Sequence, residues 1–342
     1  MPRKGWEGLN SDLRQKLKTA FEKRETLIAS DAKIAGRLFH GFTEGCPALA
    51  LDLYDRTVVI TSFEKNAESN EVFAPLCDLI QESIPRLRCI LLKERRAREP
   101  QRQKGSVLFG SGPDREISEW DVRYKIDLRL NRDTGFYLDS ANLRKWLIEN
   151  ACGTAVLNTF AYTGSLGMAA LAGNARFVLQ TDLNPRFLQL FSESATANGV
   201  AMDRYRILPG DFFHVAAALR RQNKLFDIAI LDPPFFSQTD AGRVDQQQRA
   251  IQLMNKIRPL IADGGKMVVV NNALFLSGSA YLRQIEEACA DGYLEIEEMI
   301  PVPESFFGGI SCPENLPADP APFNHATKIV VLGVRRKDGK NR

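Results

Sequence analysis

The sequence predicts an α/β protein in which a seven-stranded, mainly parallel sheet follows a smaller N-terminal α+β domain. From residue 155 onward, apolar strand-like runs alternate with helical patterns, an order typical of a parallel sheet covered on both faces. Before that point, short strand-like runs lie close together along the chain. The 342 residues also exceed one average domain of about 150 residues, so two domains are expected.

The N-terminal part begins with a predicted amphipathic helix over residues 10–29. Leu13, Leu17 and Phe21 recur there at helical spacing among charged side chains, and Ser11 or Asp12 is available as an N-cap. A small α+β unit follows. Its predicted strands are 35–39, 48–54, 57–62 and 87–92, and its predicted helix is 72–83.

A basic stretch, Lys93–Lys104, contains six positive and two negative side chains and one proline. Two interpretations stay open, a solvated linker and a strip that contacts phosphate groups. In either case it suggests a domain boundary nearby. The predicted divisions are an N-terminal helix in residues 1–30, a small α+β domain in 31–115 and the large domain in 116–342.

The large domain is predicted to open with antiparallel strands in residues 117–130, followed by a helix capped by Asp139 or Ser140. The predicted sheet strands are 155–159, 176–181, 205–208, 226–231, 266–271, 293–299 and 327–334, and the predicted helices are 165–172, 185–198, 212–221, 243–261 and 279–290. The final strand is expected to insert antiparallel. That insertion distinguishes a methyltransferase sheet from a plain dinucleotide-binding one.

Composition excludes several classes of protein. The net charge is only +3, so any nucleic acid must be bound through local clusters of positive charge. The six cysteines form no Cys-x-x-Cys pair and the three histidines show no ligand spacing, which predicts reduced thiols and no metal. Since no run approaches the ~18 apolar residues that cross a bilayer, a cytoplasmic protein without a membrane partner is expected.

A glycine turn, Phe160–Gly167, follows the strand at 155–159 and leads into a helix. This order suits a nucleotide-like ligand, because glycine lets the backbone approach it and the helix N-terminus offers free N–H groups. A full Gly-x-Gly-x-x-Gly motif is missing, which disfavours a pyrophosphate and favours S-adenosylmethionine (SAM). A turn that serves only helix–strand packing is the alternative.

Two carboxylates follow at successive strand ends. Asp182 is placed to accept the ribose hydroxyls, and Asp211 to accept the adenine amino hydrogen while Phe212 packs on the ring. Each is also a plausible N-cap for the next helix. Their order and their position beside the next motif favour the cofactor interpretation.

That motif, Asp232-Pro-Pro-Phe235, is the most specific signal in the chain. Two prolines remove backbone N–H donors, so the carbonyls and the Asp232 carboxylate accept hydrogen bonds from a planar amine or ring N–H. Phe235 can stack on that ring. At the end of the next strand stand Asn271 and Asn272, where a C5-pyrimidine methyltransferase needs a nucleophilic cysteine. A base nitrogen is therefore the predicted methyl acceptor.

The sequence resembles the RlmI/RlmK-like ribosomal large-subunit RNA methyltransferases. The matching segments are Arg37–Tyr54, Thr134–Asp139, Val156–Gly164, Asp232–Phe235 and Pro322–Lys328. The resemblance implies a class I methyltransferase with a Rossmann-like sheet, SAM as cofactor and an RNA substrate. The guanine-N7 branch shares Asn-Asn at 271–272, whereas the cytosine-C5 branch has a cysteine there. Ser140-Ala141 departs from the Gln-Arg common after the family's Leu-Asp.

The motifs and the resemblance together define the predicted site. The residues predicted to bind the cofactor are Asp139, Arg144, Asn158, Phe160, Tyr162, Thr163, Gly164, Asp182, Leu183, Asp211, Phe212 and Asp232. The predicted catalytic residues are Asp232, Pro233, Pro234, Phe235 and Asn271. We expect a methyltransferase acting on ribosomal RNA, as a monomer or homodimer. The alternatives are a methyltransferase of small molecules or proteins, and a catalytically silent RNA-binding member.

Overall fold

The computed structural model describes residues 9–64, 70–245, 249–308 and 327–338. The chain divides into two compact units. The first ends at Leu138 and also takes in the segment that begins at Glu304, and the second begins at Asp139. The sequence suggested a boundary at residue 116, because the alternating pattern of residues 117–130 was assigned to the large domain. Cys312 and His325, interpreted from the sequence as a loop thiol and a structural histidine, lie outside the described residues.

The first unit is built on a five-stranded sheet of order β1-β2-β3-β4-β5, in which only β3 and β4 are parallel. Its helices are α1 (Ser11–Glu22), α2 (Glu25–Ala29), α3 (Ala74–Ser83) and α4 (Pro100–Lys104). Its strands are β1 (Ala35–Phe39), β2 (Leu49–Tyr54), β3 (Thr57–Ser62), β4 (Cys89–Glu94), β5 (Ser106–Gly110) and the hairpin β6 (Glu116–Glu119) and β7 (Val122–Lys125).

Apolar side chains of α1, α3 and the sheet form the core of this unit. Leu17, Leu51 and Ile60 are fully buried in it, each contributing about 1.5–3 kcal/mol. The predicted single helix over residues 10–29 is wrong, because the chain breaks at Arg24. That side chain turns inward, where it donates to the Ala20 carbonyl and pairs with Glu44.

The basic stretch Lys93–Lys104 is part of this fold and not a linker between domains. Lys93 and Glu94 are the last residues of β4, and α4 follows before β5 returns antiparallel to β4. Glu94 accepts two hydrogen bonds from Arg102, which fixes the turn between the strands.

The second unit contains a seven-stranded sheet, as predicted, and its strand order is β10-β9-β8-β11-β14-β16-β15. Its helices are α5 (Ala141–Asn150), α6 (Ser165–Ala172), α7 (Pro185–Ala197), α8 (Phe212–Arg221), α9 (Ala250–Ile257) and α10 (Gly278–Cys289). Its strands are β8 (Ala155–Thr159), β9 (Phe177–Thr181), β10 (Tyr205–Ile207), β11 (Phe226–Leu231), β12 (Phe236–Thr239), β13 (Gly242–Asp245), β14 (Ile261–Asn271), β15 (Leu294–Ile300) and β16 (Lys328–Val334). Strand β16 lies antiparallel between β14 and β15.

The predicted helix over residues 243–261 is wrong at both ends. Residues 242–245 pair with β12 in a hairpin, and β14 begins at Ile261. The buried residues of α9 are Leu253, Met254 and Ile257, so the amphipathic helix is shorter than the sequence suggested.

Neither a membrane-spanning segment nor a metal-binding cluster occurs in the described parts of the chain. No helix there is both long and apolar enough to cross a bilayer. No group of three His, Cys, Asp or Glu side chains there is placed to hold a metal ion.

Candidate active site

The carboxyl ends of four parallel strands meet at one edge of the second unit's sheet. Thr159 lies opposite both Thr181 and Leu231, and Leu231 lies opposite Val269. The loops that leave these strands therefore start at the same level. They carry the predicted site residues Gly164, Asp182 and Asp232, and Asn271 is the last residue of β14. The carboxyl edge of such a sheet is where ligands bind.

The loop between β8 and α6 has an unusual backbone. Phe160, Tyr162 and Gly164 have φ angles of +53°, +51° and +78°. For the two aromatic residues this conformation costs about 1–3 kcal/mol each, a strain that concentrates at functional sites. At Gly164 an added Cβ would lie 2.5 Å from the Cβ of Phe191, so no larger residue fits. No side chain caps α6, which leaves its first N–H groups available to a ligand.

Gln180 on β9 supports this loop from inside the sheet, a role that sequence reasoning missed. The Asn158 side-chain amide donates to Gln180 Oε1 at 2.8 Å, and Gln180 Nε2 donates to the Gly164 carbonyl at 3.2 Å. An added Cβ at Gly167 would lie 2.0 Å from that Nε2 atom. Asn158, predicted to contact the cofactor, is buried in this network with about 1% of its surface exposed.

Asp182 joins the first two loops of the site. Its Oδ2 atom accepts from the Tyr162 N–H and its Oδ1 atom from the Asn184 N–H, both at 2.9 Å. Burial raises the pKa of the carboxyl, and the backbone N–H groups oppose that shift. Asn184, and not Asp182, is the side chain that caps α7. The neighbouring Leu183 is 61% exposed and Thr163 is buried.

Asp211 caps α8. Its Oδ1 atom accepts from the N–H groups of Phe213 and His214, and its Oδ2 atom accepts from the Thr239 hydroxyl at 2.6 Å. The capping alternative therefore holds for this residue, although one lone pair on Oδ2 is left for a ligand. Phe212 stacks on Phe160 with ring centroids 4.7 Å apart, which fixes the first loop against α8.

Asp232 lies at the end of β11, enclosed by packed protein atoms although part of its surface still meets solvent. Burial and the nearby charge of Asp139 raise the pKa of its carboxyl to about 7. Asp139 accepts from the Thr327 hydroxyl at 2.6 Å, a contact that the sequence did not reveal. Burial, with the charge of Asp232, raises the pKa of Tyr281 on α10. Asp139, Asp232 and Tyr281 therefore lie close enough together for their charges to interact.

Exposed aromatic surface follows Asp232. Pro233 is buried and Pro234 is exposed. The Phe235 ring is 46% exposed and the Phe236 ring 51%. Arg243 lies over the Phe236 ring, 5.1 Å from its centroid. Rings exposed to this degree beside a buried carboxyl are suited to stacking on a planar ligand.

The loop after β14 is held by a buried lysine. Asn271, the last residue of β14, is 1% exposed and accepts from the Ala273 N–H. Opposite it on β16, the fully buried Lys328 donates from Nζ to the carbonyls of Ala273 and Leu276 at 2.8 and 2.6 Å. Between those carbonyls, Phe275 is 72% exposed.

A family model described as S-adenosylmethionine-dependent methyltransferase matches residues 85–306. The chain belongs to this methyltransferase family. The predicted enzyme class and cofactor are thereby confirmed.

Named relatives and solved structures agree with this family. The methyltransferase is 25% identical over 300 residues to "Ribosomal RNA large subunit methyltransferase I" of Photobacterium profundum, covering 83% of this chain and 72% of that one. The Aeromonas salmonicida protein of the same name is 26% identical, with coverages of 81% and 70%.

Two solved methyltransferases share the fold at 20% sequence identity. One, in complex with SAH, superposes with a TM-score of 0.82, and a SAM-dependent methyltransferase from Streptococcus mutans with 0.80. Each alignment covers 96% of this methyltransferase and 83% of the other chain.

The described residues fit SAM. The uncapped start of α6, the strained loop before it and the carboxylate of Asp182 offer hydrogen-bonding groups for an amino acid tail and for ribose hydroxyls. When bound, the cofactor supplies a methyl group on a positively charged sulfur, so the leaving group is already activated. The predicted contact Arg144, by contrast, is fully buried on α5.

Proposed function

We propose that this methyltransferase methylates a base nitrogen of ribosomal RNA, on the guanine-N7-like side of its family and not at cytosine C5. The observation that carries the proposal is the carboxyl of Asp232, enclosed at the strand end beside the exposed Phe235 ring. The relatives named as ribosomal RNA methyltransferases support the substrate class. Asn271-Asn272, at the position of the cysteine in the C5 branch, supports the choice of atom.

The proposed clamp holds the target base through three groups. The Asp232 carboxylate accepts a hydrogen bond from an amine or ring N–H. Pro233 and Pro234 have no backbone N–H groups, so neither proline competes with the base for the neighbouring carbonyls. Phe235 stacks on the base, and Asn271 assists by fixing the loop that follows β14. Because the methyl group is already activated, orientation supplies most of the catalysis.

The proposed cofactor residues fall into two groups. Phe160, Tyr162, Thr163, Gly164 and Asp182 form the loops that hold SAM, with Leu183 covering it. Asp139, Asp211, Phe212 and Asp232 complete the pocket wall. Arg144 and Asn158 have almost no exposed surface, so a supporting position suits them better than direct contact.

Replacing Asp182 by alanine is expected to weaken SAM binding by about 1.5–3 kcal/mol for each hydrogen bond lost to the charged carboxylate, or roughly 10- to 150-fold. Isothermal calorimetry measures the change. The matched control is Asn184→Ala, which removes the cap of α7 and costs about 1 kcal/mol of stability without removing a cofactor contact. Equal SAM affinity in the two variants would remove the role proposed for Asp182.

Activity is expected to fall as the pH drops through 7. Protonation of Asp232, whose pKa is raised to about 7, removes the acceptor for the base N–H. The value refers to the enzyme before the base binds, so it should appear in the pH profile of kcat/KM for RNA, measured with saturating SAM. The rate should be maximal above pH 7 and lost below it. A flat profile between pH 6 and about 8 would contradict the assigned role of the carboxylate.

Transfer of labelled methyl groups from SAM to ribosomal RNA tests the function directly, with cell protein and small metabolites as parallel acceptors. Labelled RNA is the expected product, and mass spectrometry of nucleosides from cells with and without the protein identifies the modified atom. Labelling of protein or metabolites alone would favour the second function class. SAM binding without transfer to any acceptor would indicate a silent member.

A further inference from the structure

We propose that a cluster of positive side chains in the first unit binds the phosphate backbone of the RNA substrate, an inference that rests on the proposed function. The cluster, called here the basic loop pair, combines the segment between β4 and β5, which includes α4, with the loop after β7. Its members are Arg95, Arg96, Arg98, Lys104, Arg129 and Arg132.

The two loops contact each other through their arginines. Arg95 Nη1 donates to the Arg132 carbonyl at 2.9 Å, and Arg132 Nη2 donates to the Arg95 carbonyl at 3.3 Å. Both guanidinium groups are thus fixed near each other by neutral acceptors. Residues of two separate segments, distant in sequence, form one positive surface, which the run Lys93–Lys104 alone did not show.

A buried lysine determines this arrangement. Lys93 is 1% exposed, and its Nζ atom donates to the carbonyls of Lys104, Asn131 and Asp133, each at 2.8 Å. These three carbonyls point inward at one ammonium group. The side chains of Lys104 and Arg132 are both exposed to solvent.

The cations of the basic loop pair lie near one another and near the buried ammonium of Lys93. Burial lowers the pKa of Lys93 to about 8, with the charges of Arg95 and Arg129 acting in the same direction and those of Asp133 and Asp127 opposing it. Gathering these cations around a buried ammonium adds like-charge repulsion, which a polyanion relieves.

The nearby carboxylates also have partners outside the basic loop pair. Glu94 pairs with Arg102, and Asp127 pairs with Arg115 at 3.6 Å. Asp133 accepts from the Gly135 N–H and the Tyr137 hydroxyl. Among the described residues, the exposed side chains of Arg96, Arg98 and Arg129 form no ion pair.

RNA fits this surface better than an acidic protein does. Arginine presents a fork of N–H donors that matches the two free oxygens of a phosphodiester. Tyr137, 39% exposed, hydrogen-bonds to Asp133, whose carbonyl Lys93 holds, and it offers a ring on which a base can stack. Cations with a nearby aromatic ring suit a strand of alternating phosphates and bases.

The test removes the three unpaired charges with Arg96→Gln, Arg98→Gln and Arg129→Gln together. The matched control, Lys18→Gln with Arg220→Gln and Arg221→Gln, removes three exposed charges from α1 and α8. Fluorescence anisotropy with a short labelled RNA hairpin is measured over a range of salt concentrations. Each phosphate contact contributes about 0.7–0.9 to the slope of log K against log salt, so the slope should fall by about two. Affinity at physiological salt should fall at least roughly tenfold, and the control should match wild type.

An unchanged salt slope in the cluster variant would overturn the proposal. The proposal would also be overturned if the wild-type protein bound vesicles of anionic phospholipid more tightly than RNA and the same three arginines were responsible. SAM affinity, measured by calorimetry, should be equal in all three proteins. The two proposals fail separately, since RNA that binds through the cluster without being methylated contradicts only the proposed function. Methylation of RNA with a cluster-independent salt slope contradicts only the basic loop pair.

Discussion

Asp232→Ala is expected to reduce methyl transfer to RNA by about 10²-fold, the order of effect expected when a substrate is misplaced by about 1 Å. SAM affinity should fall far less, because the carboxylate is proposed to hold the base. Single-turnover transfer and calorimetry measure the two quantities. A variant that loses SAM binding but keeps its turnover would contradict the base clamp.

The same substitution provides its own control for misfolding. The pKa of Asp232 is higher in the folded protein, about 7, than the ordinary 3.8, so the ionised carboxylate destabilises the fold above pH 7 and ceases to do so below about pH 4. Asp232→Ala should therefore gain stability relative to wild type as the pH rises, by at most about 4 kcal/mol. Asp203→Ala, which removes an exposed carboxylate from the same unit, should change neither activity nor this pH dependence.

Gly164→Ala is expected to lower SAM affinity at least about tenfold and to destabilise the second unit. The new Cβ would meet the Cβ of Phe191 at 2.5 Å in a left-handed conformation, which itself costs roughly 1–2 kcal/mol. The loop must then shift away from Asp182 and the start of α6. Calorimetry with SAM and thermal unfolding measure both effects.

Gly199→Ala is a matched control for backbone strain. Gly199 has a φ of +66° and nothing lies within 4 Å of its added Cβ, so only the conformational penalty applies. We expect this variant to lose about 1 kcal/mol of stability and to bind SAM normally. If both glycine variants bound SAM equally well, the close packing at Gly164 would have no role in cofactor binding.

Local patterns sufficed for much of the fold. The alternation of strands and helices predicted the parallel sheet, and Ser165–Ala172 and Phe212–Arg221 form helices with the predicted bounds. The prediction was wrong where a helical pattern was extended beyond its apolar residues. A helix was predicted from residue 243, but residues 242–245 form the second strand of a hairpin. The spacing of apolar residues did not distinguish this short strand from the start of the helix.

Residues of the candidate site could be predicted from the sequence only where they directly follow the end of a strand. Asp182 and Asp232 stand immediately after buried strands, so sequence order placed them. Gln180, Thr327 and Lys328 were missed because their partners are distant in sequence. The role of Asp211 was ambiguous in the sequence, since an N-cap and a ligand contact require the same residue at the same place.

The position of β16 has a consequence for how the enzyme is made. This strand, which carries Lys328, enters between two strands that precede it in the chain, and Thr327 beside it meets Asp139 across 188 positions. Closing so long a loop is slow, since distant pairings form only after a large entropic cost. Newly synthesised protein should therefore pass through a stage in which the sheet is partly assembled and the loop after β14 is unsecured. The enzyme would then become able to modify RNA only in a late folding step, when β16 enters the sheet.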